Sequence, residues 1–282
     1  MKFSPLFLIV LFCCQQKEPI KSSILEQDVI STAEFHESIS HISDDANEIY
    51  FTRSSKNFKS STLLIARKFD SVWEIDTLEF SGVHYDAGLS VGSDGWVYFT
   101  SKRPTGIDSF PDEWNIWRTK KNIQTWLQPE PLSQPVNSNK SDCCFVINEN
   151  GSAYFASNRD GSWDIFRIES QNTTWNNLSK PVALNSDSGE WPAYIAENDN
   201  LLLISSIRES GFGGDDIYFS KRSGKTWMEP QLIDSRVNSD SYEDSPLIWN
   251  DRFYYSSWKD TEFSKGVSNI YMIELSEVID LE

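Results

Sequence analysis

Residues 153–175 read AYFASNRDGSWDIFRIESQNTTW. An apolar pair (Tyr154, Phe155) is followed by a polar turn at Arg159-Asp160-Gly161, a second apolar pair (Ile165, Phe166) and a Trp that closes a hairpin (Trp175). The same order recurs along the chain, so it is built of repeats. The first pair returns as Tyr50-Phe51, Tyr98-Phe99, Leu203-Ile204 and Tyr254-Tyr255, and the second as Leu63-Leu64, Ile116-Trp117, Ile217-Tyr218 and Ile270-Tyr271. Tyr50 and Tyr254 are 204 residues apart over four intervals, a mean period of 51. Thr62 to Trp73, Asn115 to Trp126, Asp164 to Trp175 and Asp216 to Trp227 all span eleven residues. The fifth copy starts at Asn269 and would need its Trp at position 280, where Asp280 stands two residues before the last.

Each copy parses as four strands, A to D. In the third copy A covers Cys143–Asn148, B Ala153–Ser157, C Asp164–Ile168, and D begins at Trp175. Asn, Asp and Gly at the A–B turns (Asn47, Asp94-Gly95, Asn150-Gly151, Asp199-Asn200, Asn250-Asp251) tolerate the positive φ of tight hairpins. No stretch after residue 20 carries a sustained helical period. Four-stranded units repeated about an axis make a β-propeller. Residues 25–39 (LEQDVISTAEFHESI) parallel 232–246 (LIDSRVNSDSYEDSP), the run from strand D of copy four into strand A of copy five. Residues 24–31 are therefore expected to supply the outer strand that copy five lacks. The expectation is an all-β, five-bladed propeller over residues 24–282, closed by an N-terminal strand.

Net charge is −17, with 25 Lys and Arg against 42 Asp and Glu, and no basic run stands out. Phosphate backbones need clustered positive charge, so nucleic acid is excluded as a partner. Residues 1–14 read as a targeting segment: Lys2, then Leu6–Phe12 (LFLIVLF), too short to span a bilayer, then Cys13-Cys14. An apolar run ending at Cys resembles a bacterial lipoprotein signal. It implies lipid on Cys14, a polar tether over 15–23, and a membrane attachment made by lipid alone. Cys143 and Cys144 are adjacent in one strand, where neighbours point to opposite faces. They read as two buried thiols.

The motifs SDG-YFTSKR (93–103), ASNRDGSWDIF (156–166), GFGGDDIYFSKRSGKTWMEP (211–230) and NSDSYEDSP (238–246) resemble the TolB-like, WD-like propeller repeats of bacterial envelope proteins. The resemblance implies fold and an envelope location (outer membrane or periplasm). With five copies and no second domain, it does not carry TolB's translocation role with it.

An acid recurs just before strand A: Glu37 (or its neighbour His36), Asp86, Asp142, Glu190 and Glu243. The innermost strand would bring these to one mouth of the channel. There they either bind a cation or a ligand, or brace neighbouring blades. No metal-ligand spacing is present, and no cofactor other than such a cation is called for. Arg103, Arg159 and Arg208, with Lys259 in copy five, lie five residues past the start of the strand B pair and are placed either to pair with those acids or to bind a ligand. The B–C loops are uneven and carry Phe110, Trp114, Phe212 and Trp258, aromatics suited to a binding surface. Gly211, Gly213 and Gly214 lack the Lys-Ser/Thr pair of a phosphate loop. These features lead to a non-enzymatic, monomeric propeller that binds an envelope protein or glycan on its B–C loop face. The alternative is a glycan-active enzyme using Asp86, Asp142, Glu190 and Glu243.

Overall fold

A computed structural model of the chain describes residues 22–106, 113–123, 125–171, 174–196 and 198–280. These form five antiparallel sheets arranged as a five-bladed β-propeller. Strand A is Phe35–Ile42, Asp86–Val91, Asp142–Ile147, Glu190–Ile195 and Glu243–Trp249 in blades one to five. Strand B is Glu48–Ser55, Trp96–Ser101, Ser152–Ser157, Leu201–Ser206 and Arg252–Ser257. Strand C is Ser61–Phe69, Asn115–Asn122, Asp164–Gln171, Asp216–Ser223 and Asn269–Glu274. Strand D is continuous in blades one (Val72–Thr77) and three (Thr174–Ser179). It is split in blades two (Thr125–Trp126, Glu130–Pro131) and four (Thr226–Trp227, Gln231–Leu232).

Blade five receives its D strand from the other end of the chain. Ser23–Ile24 pairs antiparallel with strand C, setting Ser23 opposite Met272 and Ile24 opposite Tyr271. Leu25 N–H adds a bond to the Ile270 carbonyl at 2.8 Å. The remaining residues to Ser31 form a turn rather than more strand, with Ile30 sunk completely in the seam between blades five and one.

The core is five cores, one per seam. Tyr154 and Phe155 show why, since neighbours in a strand face opposite ways. Tyr154 packs with Leu202, Ile204 and Tyr218 of blade four, while Phe155 packs with Tyr98 and Ile116 of blade two. The repeated pair on strand B thus sends one side chain into each flanking seam. Trp175 and Trp227 are buried in these clusters, and Trp73 and Trp126 pack half-buried against theirs.

A polar latch repeats at the same seams. In the connection from blade two to three, Asn137 is fully buried and clamps strand C. Its Oδ1 accepts the Ile116 N–H (2.8 Å), and its Nδ2 donates to the carbonyls of Ile116 (2.9 Å) and Leu132 (2.7 Å). The next residue, Ser138, donates its hydroxyl and its N–H to Asp142 of blade three. Asn185-Ser186 and Asn238-Ser239 repeat the arrangement. Ser81 performs both tasks between blades one and two. At the ring closure, Ser31 meets strand C at Ile270 while Thr32 binds Glu37. Removing Asn137 strands two buried backbone groups, the Ile116 N–H and the Leu132 carbonyl, each costing about 1–3 kcal/mol, while the Ile116 carbonyl keeps the Leu132 N–H. Asn137→Ala and Asn238→Ala should each lower unfolding free energy by about 3 kcal/mol in urea denaturation; a loss below about 0.5 kcal/mol would refute the latch.

Candidate functional site at the loop face

The five repeated acids stand at the channel end of the seams, but their carboxylates turn into the joints. Glu37, Asp86, Asp142, Glu190 and Glu243 are all 0% exposed. A latch hydroxyl binds each carboxylate and in four blades an arginine binds it too, on opposite oxygens at Asp86 and Asp142 and on the same Oε1 at Glu37 and Glu190. Arg53–Glu37 (3.0 Å), Arg103–Asp86 (2.8 Å), Arg159–Asp142 (2.7 Å) and Arg208–Glu190 (3.3 Å) are the ion pairs. The guanidinium groups also donate to carbonyls of the preceding connection, Arg159 to Pro135 and Val136, Arg103 to Phe80, and Arg208 to Leu184. A Ser two residues upstream orients Arg103 and Arg159, with Ser101 and Ser157 accepting from Nε at 2.9 and 2.8 Å. In blade one the arginine sits two places earlier than the repeat predicts. In blade five Lys259 lies 4.6 Å from the Tyr271 ring, and Ser239 and Ser257 hold Glu243 instead. Burial pushes Glu37 up to about 7, and Glu190 and Glu243 in the same direction, while their hydrogen bonds pull back. His36 is not the repeated acid's stand-in; its Nδ1 accepts the Ser268 N–H at 3.0 Å.

What faces the channel is the residue after each acid. Every strand A carries a β-bulge next to that point, which turns two successive residues inward. A central cavity of about 280 Å³ is lined by this position and the next in blade after blade: Ser38, Ala87, Trp191 and Asp244, then Gly88 and Cys144. A contiguous cavity of about 350 Å³ shares Ala87, Gly88, Cys144 and Trp191 and adds Trp114, Trp163 and Thr100. Its wall is aromatic on one side. Across the channel stand two half-buried carboxylates, Asp215 just before strand C of blade four and Asp244. Burial, the Asp244 charge and Asp216 push Asp215 up to about 6, and burial raises Asp244 as well.

Further aromatics surround the mouth. Trp114 meets Tyr85 edge-on at 5.1 Å, with Lys102 Nζ 4.4 Å above the indole. Trp163 and Trp191 are 6.3 Å apart. At the closing seam Trp258 lies between Phe58, stacked at 5.4 Å, and Tyr242, tilted at 5.3 Å, and both of those rings are exposed. Phe212 is exposed on the blade-four loop, and Phe110 lies outside the described residues, as does Cys14. The glycines of that loop serve close packing. A Cβ on Gly213 would lie 2.5 Å from the Asp240 backbone, and one on Gly214 would meet the Tyr242 ring at 2.4 Å. Among the described residues, no cluster of His, Cys, Asp and Glu fits a metal ion. A larger hollow of about 510 Å³ lies at the opposite end, beside the A–B turn of blade four.

Sequence reading found Trp114 and Trp258 but passed over Trp163, Trp191, Asp215 and Asp244. The signal was available: one place beyond each invariant acid the copies diverge to Ser38, Ala87, Cys143, Trp191 and Asp244.

No protein-family profile and no curated protein matches the chain. Solved structures similar to it include an α-L-arabinofuranosidase from Lactobacillus brevis, at 9% identity and TM-score 0.56, covering 88% of this chain and 92% of that one. A protein assigned as TolB from Agrobacterium tumefaciens matches at 13% identity and TM-score 0.50, covering 87% and 79%. TolB from Acinetobacter baumannii matches at 14% identity and TM-score 0.46 over 83% of this chain and 53% of its own, so this chain spans about half of that protein's length. At these identities the likeness is one of fold, that of a β-propeller.

The carboxylate pair makes stability depend on pH. Asp215 has a folded-state pKa above its unfolded value of 3.8, so its contribution is complete below pH 3.8 and is lost as pH rises through about 6. Asp244→Asn removes a charge that repels Asp215. It should raise unfolding free energy at pH 7 by roughly 1 kcal/mol and leave it unchanged at pH 3.5, measured by urea denaturation. Equal effects at both pH values would contradict the coupling.

Proposed function

We propose that this chain is a non-catalytic binding propeller of the bacterial cell envelope, held to the membrane by lipid on Cys14 and acting as a monomer. Its partner, an envelope protein or glycan, docks on the B–C loop face. The observation that carries this reading is the aromatic wall of Trp114, Trp163 and Trp191 at the channel mouth, flanked by the Phe58–Trp258–Tyr242 cluster. Half-buried rings beside a concavity offer large contact area at small entropic cost, the pattern of binding anchors. The repeated acids and Arg103, Arg159 and Arg208 support it indirectly, because these arginines are already paired with the acids within the joints.

One observation favours a second reading. Asp215 and Asp244 face the same cavity and titrate upward, as an acid and base acting on a glycan would require. In that reading they replace Asp86, Asp142, Glu190 and Glu243 as the candidate pair.

Trp114→Ala and Trp258→Ala should each weaken binding by about 10-fold or more in a titration against purified envelope glycans and affinity-captured envelope partners. In the same cells Cys14→Ser should move the protein from the membrane to the soluble fraction. Undiminished binding by both Trp variants would reject the loop face. Glycan turnover lost in Asp244→Asn would establish the enzyme instead.

A further inference from the structure

Adjacent cysteines in a regular strand point apart, yet Cys143 Sγ and Cys144 Sγ lie 3.2 Å apart. The bulge of strand A in blade three is the cause. Its register slips between Cys143 and Val146, and Cys144 adopts a left-handed backbone with φ 57°. The peptide is held in that shape by the Thr100 hydroxyl, which accepts the Cys144 N–H at 3.0 Å. The turn does not require cysteine. At the equivalent bulge of blade two the left-handed residue is Gly88, which adopts φ 56° with no steric cost. A side chain at this conformation carries a steric cost, so the thiol at 144 is held where glycine would fit more easily. Both cysteines line the apolar cavity with Trp114, Trp163 and Trp191, so a reagent entering the mouth reaches them.

We propose that Cys143 and Cys144 form a reversible vicinal disulfide, making this cavity wall a thiol–disulfide exchange site. The sulfurs need to close by about 1 Å to reach bonding distance. The oxidant is a disulfide of a partner protein or a small thiol. Cys144, the more exposed, attacks one sulfur of that disulfide as its thiolate and expels the other as a thiolate, giving a mixed disulfide. Cys143 then loses its proton and attacks Cys144 Sγ, releasing the second thiol. Two cysteine thiols are oxidised and one external disulfide is reduced, a two-electron exchange in which the two released thiolates take up the two cysteine protons. The contact with Cys144, together with burial, holds the Cys143 thiol well above its ordinary range, in keeping with first attack by the more exposed Cys144. Adjacent α-carbons are about 3.8 Å apart, closer than in unstrained disulfides, so the bond is readily reduced. Closing the ring stiffens the bulge that separates the three tryptophans.

The test uses the full-length protein, reduced and then equilibrated with oxidised glutathione, and needs no partner. Trypsin releases Ser141–Arg159, which contains both cysteines and excludes Cys13 and Cys14. The expected result is a peptide lighter by two hydrogens that takes no N-ethylmaleimide after unfolding and regains both labels after dithiothreitol. Tryptophan emission should differ between the two forms and revert on reduction. Cys143→Ser should stop at a stable glutathione adduct on Cys144. Full labelling at both positions after equilibration, a stable glutathione on each cysteine of the wild type, or a cross-link between two chains would overturn the proposal. The wild-type peptide decides the matter even if the variant fails to fold.

Discussion

A four-stranded meander with apolar side chains on both faces cannot bury them alone. Every other feature of this structure follows from that constraint. Tyr154 faces one neighbouring blade and Phe155 the other, so each blade is stable only between two others, and a chain of five has two raw ends unless it closes. Leu25 and Ile30 fill the same seam as Ile39, Phe51 and Ile270, which makes the N-terminal segment part of a core rather than an appendage. The hydrophobic contribution is large, at about 25 cal/mol per Å² removed from water, but it does not set angle or register.

Register comes from the polar latch. Each joint takes a connection leaving one blade, binds it to that blade's strand C through an Asn or Ser, and binds the following hydroxyl to the next blade's acid. The arginine of that next blade then reaches back to the same connection. Each buried carboxylate therefore receives donors from the latch, the condition under which a buried charge is tolerable, although at Glu190 only Oε1 is bonded. Acids and hydroxyls are equivalent around the ring because they solve one geometric problem five times, and blade five, with Lys259 in place of Arg, shows that the arginine is the dispensable part. The channel-facing surface follows the opposite rule. Residues immediately beside the repeated ones differ in every blade, and these differences make one side of the mouth aromatic and the other acidic.

Strand order, blade number and the exchange of the outer strand were legible because they depend on period-two burial and on a repeat of about 51 residues. The parallel between residues 25–39 and 232–246 marked the closure, and it matches Ser31-Thr32 to Asn238-Ser239, the latch itself. The direction of the carboxylates was not legible. Recurrence shows that a residue is needed in every blade, and only the positions of Ser138, Ser239 and the arginines reveal that the need is internal. The pairing of Cys143 with Cys144 was hidden for a related reason. Alternation puts them on opposite faces, and the bulge that cancels alternation leaves no mark in composition.

Ring closure is tested most directly by hydrogen–deuterium exchange on a chain lacking residues 1–31, compared with the full chain. If the first strand and its latch complete the circle, exchange in Asn269–Glu274 and Phe35–Ile42 should rise by on the order of 100-fold, while Ser152–Ser157 on the far side stays protected. Unchanged protection of Asn269–Glu274 in the shortened chain would mean that blade five stands without its borrowed strand, and the account of closure would be wrong.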